Sequence, residues 1–310
     1  MKHLSLFLIF NLLATVTISQ VRTVEVSREY NEKEDHYDIV ANSVYKGRMV
    51  VIVEFKDERN ISCRDGNNGF TKTIGPGRSL LTRVSRLDPN RPMSFGYTFR
   101  YTEGCSNRKP DMDHSYGIPL VNGKATQISE MTYVGDKYGN EEPPKDWYAV
   151  TFKTAIGDTI VASRRGVVVK VIDDTEAVAD QGQFTFSANR NLVKVQHKDC
   201  SIGRYELFQK DGVFVKEGQD VEVGTPLGVI GGDQYSGGSH VRFSVFYYDN
   251  YEKTNNPNSK RSYAFVPLHL YSNDGTSLRT NKEKLISVID QDIITAEMSK
   301  RQIKKWLKNQ

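Results

Sequence analysis

The chain has 310 residues, enough for two domains of ordinary size, each with a core of its own. Its 38% hydrophobic and 26% charged content excludes both a disordered chain and one immersed largely in a bilayer. The formal net charge is +4, and residues 281–310 hold seven Lys or Arg against four Asp or Glu. The body is therefore nearly balanced, so no nucleic-acid groove is expected.

Lys2 and His3 precede an apolar run, Leu4 to Ile18, followed by Ser19. The run is short for a bilayer span and has the flanks of a secretory signal. Residues 1–19 are expected to be a signal peptide, and the protein to be exported, periplasmic or secreted. A retained membrane anchor is the alternative.

Residues 20–106 have the pattern of strands. Val24 and Val26 alternate with polar residues, Met49 to Phe55 is a buried-type run, and Met93 to Tyr101 alternates with aromatics. Asp65-Gly66-Asn67-Asn68-Gly69 and Gly75-Pro76-Gly77 supply turns. Short strands at this spacing predict an antiparallel, immunoglobulin-like sandwich. Cys63 and Cys105 are the expected disulfide in an oxidising compartment. Cys200 is then left over, and an odd count also permits a different pairing.

Residues 107–146 are polar and turn-rich and read as a connecting arm, some of which packs on a domain. Its Asp111, Asp113 and His114 read as solvated loop residues, with a metal cluster as the less favoured alternative. Strands return over Tyr148–Phe152, Thr159–Ala162, Gly166–Ile172, Leu192–Gln196, Tyr205–Phe208, Pro226–Ile230 and Val241–Tyr247. The chain is thus expected to be all-β, with packed, partly rolled sheets in its second half. In the tail, 271–310, a basic amphipathic helix is expected over Thr295–Lys308, with Thr295 as N-cap. It would dock on the protein itself or, in the sharper reading, on a membrane or partner.

Three strings carry more than secondary structure: Tyr148-Ala149-Val150-Thr151-Phe152, Tyr205-Glu206-Leu207 and Ser239-His240-Val241-Arg242-Phe243. They occur in order with Ile156-Gly157-Asp158-Thr159, Val193-Lys194-Val195-Gln196-His197, Val215-Lys216-Glu217-Gly218 and Gly224-Thr225-Pro226-Leu227-Gly228. Together they resemble the lysostaphin-type, LytM-like β-lytic metallopeptidases, peptidase family M-twenty-three. The resemblance covers about Trp147 to Tyr247 and implies a duplicated-hybrid-motif β domain over 147–270. It also implies a mononuclear zinc held by a His, by the Asp of Y-A-x-D-F and by the second His of H-x-H. Two more histidines, in Y-x-H and first in H-x-H, would assist the water and the oxyanion.

Carried over residue by residue, nearly every one of those positions departs from the pattern. Thr151 stands for the Asp, Leu207 for the His of Y-x-H after Tyr205, and Arg242 for the second His of H-x-H. Only His240 survives, in the assisting slot. A guanidinium has no lone pair to give. At ~4 Å and an effective dielectric of ~20, its charge would oppose Zn²⁺ by about 8 kcal/mol. His197, which ends a strand, reads as structural rather than as a ligand. No zinc or other cofactor is expected.

The expected function is an inactive homologue kept as a binding or regulatory module in a bacterial envelope. Its groove would offer Arg242 and His240 to a peptidoglycan stem peptide or an envelope protein. The alternatives are an active zinc endopeptidase with a rearranged site recruiting His114 or Asp113, and a structural or adhesion protein.

Overall fold

The computed structural model describes residues 22–133, 143–144, 146–176, 190–231, 238–250, 262–278 and 282–308. The expected signal segment, 1–19, lies outside the described residues. Seven strands build the first unit: β1 (Val24–Asn31), β2 (His36–Ser43), β3 (Met49–Arg59), β4 (Ile61–Cys63), β5 (Gly69–Ile74), β6 (Gly77–Arg86) and β7 (Ser94–Glu103). They form an antiparallel sheet of order β1-β2-β6-β4 and a second of order β5-β3-β7. Ile39 and Ala41 from one sheet and Val51 and Val53 from the other share a single core. This is the expected two-sheet sandwich. The turn before β5 requires glycine: Gly69 has φ of 139°, and a Cβ there would lie 2.4 Å from the Val53 carbonyl oxygen.

The second unit begins earlier in the chain than the arm boundary suggests. β8 (Ser115–Gly117) and β9 (Ala125–Glu130) both arise within 107–146. They are followed by β10 (Val150–Lys153), β11 (Thr159–Val161), β12 (Gly166–Ile172), β13 (Leu192–Gln196), β14 (Ile202–Glu206) and β15 (Phe208–Val213). Next come β16 (Asp220–Val221), β17 (Pro226–Ile230), β18 (His240–Tyr248), β19 (Tyr263–Phe265), β20 (His269–Ser272), β21 (Gly275–Leu278) and β22 (Lys284–Ile286). The main sheet has the order β16-β12-β13-β14-β18-β10-β9-β22, with β19 also on β18. Two three-stranded sheets, β11-β17-β15 and β21-β20-β8, complete the unit.

The arm is thus woven into this unit: β9 pairs with β10 and with β22 from the tail, and β8 runs parallel to β20. The reason is local. The arm is polar on average, but Tyr116, Ile118, Leu120 and Ile128 all enter the second core, as does Leu285 of the tail. Burying large apolar side chains stabilises by about 1.5–3 kcal/mol each, which outweighs the solubility of their neighbours.

The tail ends in two short helices, α1 (Gln291–Thr295) and α2 (Lys300–Leu307). Thr295 ends the first rather than capping the second. Ser299 caps α2, because Ser299 and Gln302 have the capping-box spacing and make its reciprocal bonds. Among the described residues, no helix is long and apolar enough to cross a membrane.

The cysteine pairing differs from the expectation. Cys105 is bonded to Cys200, and Cys63 is a buried free thiol. Cys63 closes β4 with its sulfur 3.2 Å from the Thr82 hydroxyl, inside the sandwich. Cys105 lies just past β7, where the sandwich meets the second unit and Cys200. Non-reducing peptide mapping is expected to yield a Cys105–Cys200 cross-linked pair, and Cys63 should alkylate only after unfolding. A Cys63–Cys105 peptide would contradict this arrangement.

Candidate functional site

The main sheet has two faces, and strand alternation sorts the candidate residues between them. On β10, Val150 and Phe152 are buried and Thr151 is half-buried; on β18, Val241 and Phe243 are buried while His240 and Arg242 are half-buried. Thr151 and Arg242 are register partners on these neighbouring strands. Arg242 is also the partner of Glu206 on β14. Thr151, His240, Arg242 and Glu206 therefore share the face turned away from the core.

Around Glu206 the charges are unequal. Arg204 makes a short ion pair with it, and Arg190 lies 3.8 Å from its other oxygen. Two guanidinium groups, Arg190 and Arg204, thus gather near one carboxylate, and Arg242 is its register partner on β18. Two bonds hold His240 among the described residues. Its Nδ1 is 2.7 Å from the Gly238 carbonyl oxygen, to which it donates, and its Nε2 accepts from Arg242 Nε at 3.3 Å. Burial, together with Arg242 and Arg190, lowers the His240 pKa below its ordinary value, against the opposing bond to Gly238. The imidazole is accordingly neutral at pH 7.

The other sequence candidates lie elsewhere. Tyr205 points into the core, where its hydroxyl accepts from the Ser163 amide at 2.9 Å. Leu207 is also a core residue, 2% exposed, just beyond β14. His197 is buried, with Nδ1 2.8 Å from the Arg165 carbonyl oxygen. His114 packs its ring edge-on against Tyr116 and faces Glu297 at 3.8 Å. That cluster shares no residue with the His240–Arg242 pair. Asp113 sits in a turn with its amide on Asp111.

These side chains do not fit a zinc ion. The lone pair of His240 Nε2 is directed at a guanidinium. The Thr151 hydroxyl donates to the Ser129 carbonyl at 3.3 Å. Arg242 brings a positive charge where a third neutral or anionic donor is needed. Among the described residues, no group of three or more His, Cys, Asp or Glu is arranged to hold a metal.

Sequence reasoning missed Glu206, Arg204 and Arg190 as members of this face. The available signal was parity: Arg204 and Glu206 alternate with Tyr205, so a core-facing Tyr205 turns both of them outward. It also missed what covers the face's far end. Lys194, Gln196, Phe246 and Tyr248 have the same parity as Arg242 and carry the sandwich. Gln196 exchanges two bonds with the Arg48 backbone, at 2.6 and 3.0 Å, and Lys194 pairs with Glu103 at 2.6 Å. A Cβ on Gly47 would fall 2.6 Å from both Gln196 and Val169, so close approach there requires glycine. The His240–Arg242 end lies away from these contacts.

The second unit is a peptidase-like β domain with a polar sheet face. Residues 145–257, within this unit, match the model of peptidase family M23. Solved structures that match the chain include the SpoIIQ–SpoIIIAH pore-forming complex, at 20% identity over 43% of this chain and 84% of that one, with a TM-score of 0.30. The deep-sea M23 metalloprotease pseudoalterin matches at 16% identity over 56% and 95% of the two chains, with a TM-score of 0.32. Helicobacter pylori Csd3 matches at 13% identity over 92% and 84%, with a TM-score of 0.30. No curated protein matches the chain.

Proposed function

We propose that this M23 domain binds an anionic peptide without hydrolysing it and serves as a binding or regulatory module of an exported envelope protein. The observation that supports this most is the Arg242–His240 pair. It spends the one surviving imidazole lone pair on a guanidinium and leaves a cationic sheet face where hydrolysis would need metal donors. A carboxylate is the complement of Arg242 beside the Arg190–Glu206–Arg204 group, and arginine binds it with a planar, bidentate fork. A peptidoglycan stem peptide or an acidic segment of an envelope protein has that chemistry.

The test is co-sedimentation with purified cell-wall sacculi. The wild type should pellet, and Arg242→Ala should bind about tenfold or more weakly, as expected for loss of one charge-assisted bond. Absence of sacculus binding in the wild type would remove the peptidoglycan ligand. Stoichiometric zinc with chelator-sensitive hydrolysis would replace this reading with an active enzyme.

A further inference from the structure

The cationic face does not stop at Arg242. Register carries one row across four strands: His240 pairs with Lys153, Phe152 pairs with Ile128 so that Gln127 falls beside Lys153, and Gln127 pairs with Lys284. The row thus runs His240, Lys153, Gln127, Lys284 over β18, β10, β9 and β22. Its outer end opens into a cleft of about 670 Å³ lined by Lys153, Lys284, Ala125, Ala155, Leu285 and Ile286, among others. Ile286 is 40% exposed. Lys124 at the rim is paired with Asp158 at 2.8 Å. Lys153 and Lys284 are both exposed, and neither has an ion-pair partner among the described residues. The cleft therefore combines an apolar floor with two uncompensated cations, built by strands of the arm and the tail.

We infer that this cleft is a second subsite for the same ligand, taking an apolar residue followed by a carboxylate. The inference rests on the proposed function, because Arg242 supplies the first contact. Strands lie about 4.8 Å apart, so three steps from β18 to β22 span about 14 Å. An extended peptide rises about 3.3 Å per residue, so about five residues reach from Arg242 to Lys284. The occupant is accordingly a short extended acidic peptide crossing the strands, with anionic groups at both ends and an apolar residue between them. Its negative ends are complementary to the two cation clusters, and its apolar centre to Ala125, Ala155 and Ile286.

Fluorescence anisotropy with two labelled probes tests this. One is an N-acetylated Glu-Ala-Ile-Ala-Glu peptide with a free C-terminus; the other is N-acetyl-Ala-Glu, too short to span both subsites. The double variant Lys153→Gln, Lys284→Gln changes only exposed side chains. It should weaken the longer probe by about tenfold and leave the shorter one unchanged, while Arg242→Ala weakens both. Equal affinity of wild type and double variant for the longer probe would overturn the second subsite. Failure of that probe to bind the wild type at millimolar concentration would overturn it as well. In either case, Arg242-dependent binding of the short probe would leave the proposed function standing; its absence would take that reading down too.

Discussion

Arg164→Met is expected to destabilise the protein by about 3–5 kcal/mol, read from urea denaturation at pH 7. Arg164 is 2% exposed, yet it is charged. Its guanidinium donates to Asp199 at 2.8 Å and to the Tyr116 hydroxyl at 3.0 Å. It also holds Glu297 with two bonds, at 3.0 and 2.6 Å. Burial alone would raise the Asp199 carboxyl, but Arg164 and Ser201 outweigh it and hold it at about 2. Burial likewise pushes Glu297 up, and Arg164 overcomes it and holds that carboxyl below the ordinary range. Removing the arginine leaves both carboxylates in poorly solvated positions with no cation. Methionine keeps much of the volume, so the loss reports charge rather than a cavity.

The effect extends to the tail. Glu297 lies between α1 and α2, 133 residues from Arg164 in sequence. Arg164→Met should therefore expose the region around α1 to limited proteolysis before the sheets unfold. Arg164→Lys should not restore stability, because one ammonium cannot make the forked set of bonds to two carboxylates and a phenol. In a double-mutant cycle with Glu297→Gln, the two changes should be strongly non-additive. A stability loss below about 1 kcal/mol, the range of an exposed ion pair, would sink the assignment of Arg164 as the buried cation that holds Asp199 and Glu297.

The strands were legible in the sequence where composition and punctuation agreed. Gly166–Ile172, Leu192–Gln196 and Pro226–Ile230 are observed with the residues that their β-branched runs and flanking turns predict. The arm was not, because β8 and β9 owe their place to a few apolar residues among many polar ones. That signal is tertiary, and averaging over the segment erases it. The cysteines misled for a related reason. Cys63 and Cys105 share a domain in sequence, but Cys105 stands at its boundary, where proximity to Cys200 depends on how two units meet.

Of the candidate site, Thr151, His240 and Arg242 were legible because a known order of strings fixed their positions, and strand pairing then placed them together. Glu206 and its two further arginines were not singled out, though the alternation along β14 contains the needed information. The Arg164 cluster could not have been read at all. Its members come from Tyr116, Arg164, Asp199, Ser201 and Glu297, and no periodicity links positions so far apart. Only burial of a charge identifies it.

The same cluster sets the acid response of the fold. His197 is buried, its Nε2 has no hydrogen-bond partner among the described residues, and a Cβ on Gly203 would stand 3.1 Å from that nitrogen. Burial and the nearby Arg164 charge lower its pKa to about 3. An unfolded histidine titrates near 6.5. Between these values the unfolded chain binds a proton that the folded chain refuses. Stability is therefore intact above about pH 6.5 and is lost as pH falls towards 3, with a slope approaching 1.4 kcal/mol per unit. His114, lowered by burial and by Arg164, acts with the same sign. Asp199 and Glu297 have depressed pKa values, so their contributions are present above the ordinary carboxylate range and disappear only at lower pH. Denaturation at pH 6.5 and 4.5 separates the two sets, and the wild type should lose about 2–3 kcal/mol across that window through His197. His197→Gln can still donate to the Arg165 carbonyl but cannot take up the proton, so it should flatten the profile while costing little at pH 7. An unchanged slope in His197→Gln would mean that the proton enters elsewhere, and the buried neutral imidazole would no longer account for the acid limit of this fold.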